Sequence, residues 1–283
     1  MNKLFVYGTL RKNESNDTYL KDANCELDQA WVYGELFDTN RGFPVMKESD
    51  IQKVYGELYT VTDEQLASID SLEGYRKDGA DNLYERKMVT VHDERGRFCE
   101  AITYIAGSSF GDSQENIPTW DWKVYRYLKR ETMYYFAYGS CMDNRRFKLA
   151  NVDQHFNNII GRGKLTGFGF RFSRSSNDGA KADIVLAAGE NVEGFIYEVP
   201  VAAVDYLYER EGVFTGLYRP SIVPVSMIDG RQIEVLTFIG IDKSDESKPT
   251  EVYADEILTG AKRLLSNTYV EGLSQRIKGL MKS

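Results

Sequence analysis

Two glutamates of this chain stand where a carboxylate could move a proton. Leu66, Ile69 and Glu73 are spaced i, i+3, i+7, and Val204, Leu207 and Glu211 repeat that spacing. Residues so spaced share one helical face. Two of each three are apolar, so that face points to a core and carries its glutamate with it. Gly74 and Gly212 follow as helix stops. Burial disfavours the carboxylate's charge, and so does the negative end of a helix dipole. Both raise the pKa toward neutrality, where a general base is most useful. One helix-end glutamate alone is more often a residue reaching out to water, but two in register weaken that bland reading. The second feature is "FVYGTL", ending at residue 10, answered by "FAYGSC", ending at residue 141. A strand that ends in Tyr-Gly-Thr or Tyr-Gly-Ser puts Gly8 or Gly139 at a bend where backbone can approach a ligand closely. The next N–H groups, with the hydroxyl of Thr9 or Ser140, could form a nest for a carboxylate or carbonyl oxygen. An ordinary glycine turn competes with that reading for each fragment alone.

The elements that must position these residues also come twice. Phe5 matches Phe136 at an offset of 131, and Gly56 of "VYGELYTV" matches Gly194 of "VEGFIYEV" at 138. "LYERKMVTV" (83–91) matches "LYRPSIVPV" (217–225), and "EAITYI" (100–105) matches "EVLTFI" (234–239), both at 134. Four blocks in one order mean two copies of one domain. The blocks are rich in Val, Ile, Tyr, Phe and Thr and are separated by turn residues, so they read as strands. Each copy has one clear helix. Thr62 and Gln65 make a capping box for the first. Pro200 suits the first position of the second. A further helix is predicted at 251–265. The expected class is α+β, with a mostly antiparallel sheet in each copy that could curl into a barrel. Domain 1 is expected at 1–122, a linker at 123–133 and domain 2 at 134–283.

Composition narrows the chemistry. The chain of 283 residues carries a net charge of −8, which argues against nucleic acid as a partner. Cys25, Cys99 and Cys141 follow no zinc or CxxC spacing and read as free thiols of a reducing compartment. The start lacks the pattern of a secretory signal, and no apolar run is long enough to cross a bilayer. A cytoplasmic protein with no membrane partner is expected, while nothing in the sequence fixes the oligomeric state.

Taken together, strand–YG(S/T), a glycine-bearing strand and an inward Glu-Gly resemble the γ-glutamylcyclotransferase-like superfamily. "YYFAYGS", "VEGFIYEV", "LYEREGVFTGLYR" and "KPTEVYADEILTGAKRLL" make the second copy similar to γ-glutamylcyclotransferase. "FVYGTLRK", "VYGELFDTNRGFPVM", "VYGELYTV" and "IDSLEGYR" make the first similar to the smaller branch with γ-glutamylamine cyclotransferases. The layout resembles tandem bacterial members, and the resemblance implies a small mixed barrel in each copy. The resemblance implies an intramolecular reaction in which the α-amine of a γ-glutamyl group attacks its own γ-carbonyl. The products are 5-oxoproline and a free amine or amino acid. No metal or organic cofactor is implied, and the partner is a small γ-glutamyl compound. It makes Glu73 and Glu211 the bases. It makes Tyr7, Gly8, Thr9 and Leu10 the substrate loop of the first site, with Tyr75 after the base. Tyr138, Gly139, Ser140 and Cys141 become the loop of the second, with Tyr253 closing that pocket. Cys141 departs from the asparagine usual at its place, and a thiol cannot replace an amide's paired donor and acceptor. The second site is therefore expected to be weaker or to take another γ-glutamyl substrate. A binding or regulatory protein for the same compounds is the alternative.

Other signals are weaker. A Cys141–His155 dyad is disfavoured, since such pairs are set in space and not by proximity in sequence. His92 beside "DERG" reads as a solvated hairpin. "GRGKLTGFGF" (161–170) lacks the P-loop ending and reads as a basic turn into a strand. "IDKSDESKPT" reads as a loop, and the last residues as an amphipathic helix packed on its own domain.

Overall fold

The structure is a computed structural model describing residues 1–110 and 114–282. It divides into two compact units, Met1–Arg126 and Tyr127–Ser283. The expected linker, 123–133, starts inside a helix of the first unit and ends in a strand of the second.

In the first unit the strands are β1 (Asn2–Val6), β2 (Asn24–Tyr33), β3 (Glu35–Asp38), β4 (Pro44–Lys47), β5 (Lys53–Val61), β6 (Tyr84–His92), β7 (Phe98–Ala106) and β8 (Glu115–Asn116). The helices are α1 (Asp63–Leu72) and α2 (Trp122–Tyr127), the latter running one residue into the second unit. Five strands close a barrel in the order β1-β5-β2-β6-β7, and β4-β3-β8 form a small separate sheet. All barrel neighbours are antiparallel except β1 and β7, which meet in parallel at Leu4 and Ile102.

The second unit repeats the ring. Its strands are β9 (Thr132–Ala137), β10 (Ile159–Arg174), β11 (Lys181–Pro200), β12 (Tyr218–Met227) and β13 (Gln232–Gly240). Its helices are α3 (Arg145–Leu149), α4 (Val204–Arg210), α5 (Glu251–Ala261) and α6 (Asn267–Lys282). The barrel closes as β10-β11-β9-β13-β12. Its one parallel pair joins Tyr135 of β9 to Leu236 of β13, the residues that the offsets 131 and 134 assign to Leu4 and Ile102. The α+β class with two tandem small mixed barrels therefore holds.

The repeat has a packing cause. A Cβ on Gly56 would lie 2.3 Å from the Val6 carbonyl oxygen and 2.6 Å from the Phe5 ring. One on Gly194 would lie 2.5 Å from the Ala137 oxygen and 2.7 Å from the Phe136 ring. Each barrel thus lets a fully buried phenylalanine of its first strand cross a neighbouring strand where that strand has no side chain. The hydroxyl of Thr103 donates to the Phe5 carbonyl at 3.0 Å, and Thr237 does the same to Phe136 at 3.0 Å.

The helices follow their signals. Thr62 and Gln65 form the reciprocal capping box at the start of α1. Gly74 and Gly212 take left-handed conformations just after α1 and α4, where a side chain would strain the turn. Pro200 ends β11 and precedes a short 3-10 turn, Val201–Ala203, so it does not open α4 itself. The glycine-rich stretch 161–170 lies wholly within β10, with a register shift beside Gly167, so it is strand and not a basic turn. Among the described residues no helix is long and apolar enough to cross a membrane.

Candidate functional site

Leu66 and Ile69 are buried on α1, and Glu73 caps its end from the same face. Across a cavity of about 300 Å³, Glu73 faces the turn that follows β1, and Tyr7, Gly8, Thr9 and Leu10 all line that cavity. The volume falls at the lower end of small-ligand pockets. Among the described residues nothing donates a hydrogen bond or a positive charge to the Glu73 carboxylate. Glu73 is half-buried, and desolvation by the protein around it, without such a partner, pushes its pKa up from 4.5 to about 7.

The turn is rigid for reasons readable in its contacts. Arg11 N–H donates to the Gly8 carbonyl at 3.1 Å, and Asn16 N–H donates to that of Thr9 at 2.9 Å. The buried Arg11 guanidinium pairs with Glu57 at 3.2 Å and Asp121 at 2.7 Å. The second Glu57 oxygen accepts from Lys12 N–H and from Tyr59. The N–H groups of Thr9 and Leu10 meet no protein acceptor among the described residues, so both remain for a ligand oxygen. Tyr7 contributes its ring and not its hydroxyl, which donates to the Tyr104 carbonyl at 2.7 Å and accepts from Met46 N–H at 3.2 Å. Gly8 is small because Pro44 sits 2.9 Å from where its Cβ would be.

Tyr75 takes no place in the lining. It packs against Tyr104 and lies under the Arg86 guanidinium, at 5.2 Å. Sequence reasoning missed the far wall: Arg41, Phe43 and Pro44 of the β3–β4 hairpin, with Tyr84, whose hydroxyl donates to the Pro44 carbonyl at 2.7 Å. Tyr84 carried a signal, since it is the second residue of one repeated block and its counterpart Tyr218 lines the second cavity.

The second site is built alike and filled differently. Val204 and Leu207 are buried, and Glu211 caps α4. Tyr138, Gly139, Ser140, Cys141 and Tyr253 line a cavity with it. Met142 N–H donates to the Gly139 carbonyl at 3.1 Å, the bond that Arg11 makes to Gly8. Yet the space is about 30 Å³, room for roughly one water. Arg210, where the first copy has Leu72, donates from Nη2 to the Ser140 hydroxyl at 2.9 Å and from Nε to the Cys141 sulfur at 3.0 Å. The Cys141 thiol in turn donates to Glu211 at 3.6 Å. The pKa of Glu211 stays above its ordinary value because burial raises it more than the Arg210 charge and the thiol bond lower it. Tyr253 accepts at its hydroxyl from Ala182 N–H at 3.2 Å, fixing α5 against the pocket. His155 meets Gln154 and is not among the contacts of Cys141.

Comparison with known proteins agrees with this duplicated architecture. The family model described as gamma-glutamyl cyclotransferase, AIG2-like, matches residues 4–124, and the AIG2-like family model matches residues 191–273. YkqA of Bacillus subtilis, whose name carries a provisional gamma-glutamylcyclotransferase assignment, is 36% identical over 283 residues, covering 99% of this chain and 98% of that protein. Its crystal structure matches with a TM-score of 0.87 at 35% identity over 99% of this chain and 98% of that one. A gamma-L-glutamyl-butirosin B gamma-glutamyl cyclotransferase from Niallia circulans is 36% identical over 44% of this chain and 78% of its own length. Human gamma-glutamylcyclotransferase is 28% identical over 47% of this chain and 71% of its own. The chain is a tandem, two-domain member of the γ-glutamylcyclotransferase-like family.

Proposed function

We propose that this protein converts a γ-glutamyl amine or γ-glutamyl amino acid into 5-oxoproline and the free amine, and that the first barrel does most of this work. The observation that carries the reading is the Glu73 carboxylate. It is half-buried, unpaired among the described residues, desolvated so that its pKa rises to about 7, and set across a cavity from the turn whose Thr9 and Leu10 N–H groups have no protein acceptor among the described residues. The γ-glutamyl ammonium gives a proton to Glu73, and the freed amine attacks the γ-carbonyl carbon. A carbon–nitrogen bond forms and the carbonyl oxygen takes up negative charge, for which the N–H groups of Thr9 and Leu10 are the available donors. As the bond to the leaving nitrogen breaks, Glu73 returns the proton to that nitrogen. The ring nitrogen, which keeps two hydrogens after the attack, gives up one to the freed Glu73 carboxylate, which passes it to the departing amine. The nucleophile belongs to the substrate, so the site needs no activated serine or cysteine.

In the second barrel Arg210 and Cys141 occupy the corresponding ground. That filling favours a weak or differently selective second site, with non-catalytic ligand binding as its other reading. The test is a screen for 5-oxoproline release from γ-glutamyl amines and γ-glutamyl amino acids across pH. Turnover should rise with pH and level off above about 7, as Glu73 loses its proton. Absence of 5-oxoproline from every substrate in the panel would contradict the reading.

A further inference from the structure

Among the described residues that line the first cavity, Arg41 is the single cation and Glu73 the single anion. Arg41 sits at the tip of the β3–β4 hairpin, between Asn40 and Gly42, both left-handed at φ 57° and 87°. Its backbone N–H is held by the Thr39 hydroxyl at 3.3 Å, and Thr39 closes the hairpin through the Phe43 carbonyl at 2.6 Å. The hairpin is docked by three side chains that are not its own. Tyr84 donates to the Pro44 carbonyl, Tyr7 accepts from Met46 N–H, and Tyr125 donates to Asp38 at 3.0 Å. The Arg41 guanidinium, by contrast, makes no ion pair or hydrogen bond among the described residues. A rigid hairpin thus presents an uncommitted cation at the exposed rim, in a chain of net charge −8.

Position decides which part of a ligand that cation meets. The half-buried Glu73 and the turn after β1 line the cavity together with buried Phe5, Tyr7 and Leu10, and they would hold the reacting γ-glutamyl end. Arg41, Gly42 and Ser15 are exposed and form the mouth, through which the leaving group must point. Among the described residues the second barrel has no counterpart of this hairpin, and the arginine at its site neighbours the base instead.

We propose that Arg41 is a specificity-determining residue of the first site, selecting leaving groups that carry a carboxylate over neutral or cationic amines. This rests on the cyclotransferase reading for the meaning of "leaving group", but the charge preference is itself a binding property. γ-Glutamyl-alanine and γ-glutamyl-ethylamine differ by one carboxylate and serve as probes. Calorimetry would use the full chain carrying Glu73→Gln and Glu211→Gln, so that neither probe is consumed. Arg41→Gln should weaken γ-glutamyl-alanine binding about threefold to tenfold, as expected for a pair at an exposed rim, and leave γ-glutamyl-ethylamine unchanged. The difference should shrink as salt is raised from about 50 to 500 mM, and Arg41→Lys should keep part of it. Equal effects on both probes, no effect on either, or no binding of either probe would overturn the proposal. Charge-selective binding without 5-oxoproline release from the unsubstituted chain would instead overturn the cyclotransferase reading and leave the role of Arg41 standing.

Discussion

Glu73 and Glu211 end equivalent helices in different surroundings, and the residue before each differs in charge. Leu72 precedes the first and Arg210 the second. A leucine adds to the desolvation of the carboxylate, whereas a guanidinium supplies charge that lowers its proton affinity. The raised pKa of the first carboxylate has a consequence for stability, whatever its part in turnover. Its folded pKa, about 7, lies above the ordinary 4.5, so the folded chain keeps a proton that the unfolded chain has already released. The stability this group contributes is complete below about 4.5 and is lost as pH rises through about 7. The loss approaches about 3 kcal/mol once the group is fully ionised, because a tenfold difference in proton affinity is worth about 1.4 kcal/mol. Glu73→Gln should abolish that loss. Chemical denaturation at pH 5 and pH 8 should find the variant gaining relative stability at the higher pH, and equal differences at both would contradict the burial argument.

At the scale of elements, the repeat was legible because the barrels demand it. Gly56 and Gly194 stood out as the centres of matched strands, and the close approach of Phe5 and Phe136 explains both. Replacing Gly194 with Ala should cost about 2 kcal/mol or more, since the added carbon meets a backbone oxygen at 2.5 Å that cannot move without opening the β9–β11 ladder. Thr62→Ala should cost about 1 kcal/mol by removing one half of the capping box. Denaturant titrations measure both, and a cost for Thr62→Ala above that for Gly194→Ala would reverse the order. The β3–β4 hairpin was not legible. Its strands have four residues each, and "FDTNRGFPVM" carries turn signals but no periodicity that assigns it to a cavity wall. The Arg210–Cys141 contact was equally hidden, because the helix Val204–Arg210 and the turn at Ser140–Met142 meet only in the folded barrel. The resemblance set each YG(S/T) loop and its glutamate at one site, whereas the further pieces of chain that complete each pocket, the hairpin in one and Arg210 in the other, left no local spacing to read.

At the scale of the whole molecule, two copies of one barrel have diverged in how their sites are filled. The first keeps about 300 Å³ open beside a glutamate unpaired among the described residues, and the second keeps about 30 Å³ beside a glutamate in contact with a thiol. Duplication accounts for the common frame of strands, buried phenylalanines and inward glutamates. Divergence shows in what surrounds that frame: the hairpin with Arg41 in one copy, and Arg210, Cys141 and the α5 helix with Tyr253 in the other. The most direct test of this account is steady-state 5-oxoproline release by the full chain and by two single variants, Glu73→Gln and Glu211→Gln, on the best γ-glutamyl substrate. Loss of general base catalysis at the open site should lower turnover by about 10²–10⁴-fold in Glu73→Gln, while Glu211→Gln should retain most of it. Near-full activity of Glu73→Gln, or its loss in Glu211→Gln alone, would contradict the assignment of the first barrel as the principal active site.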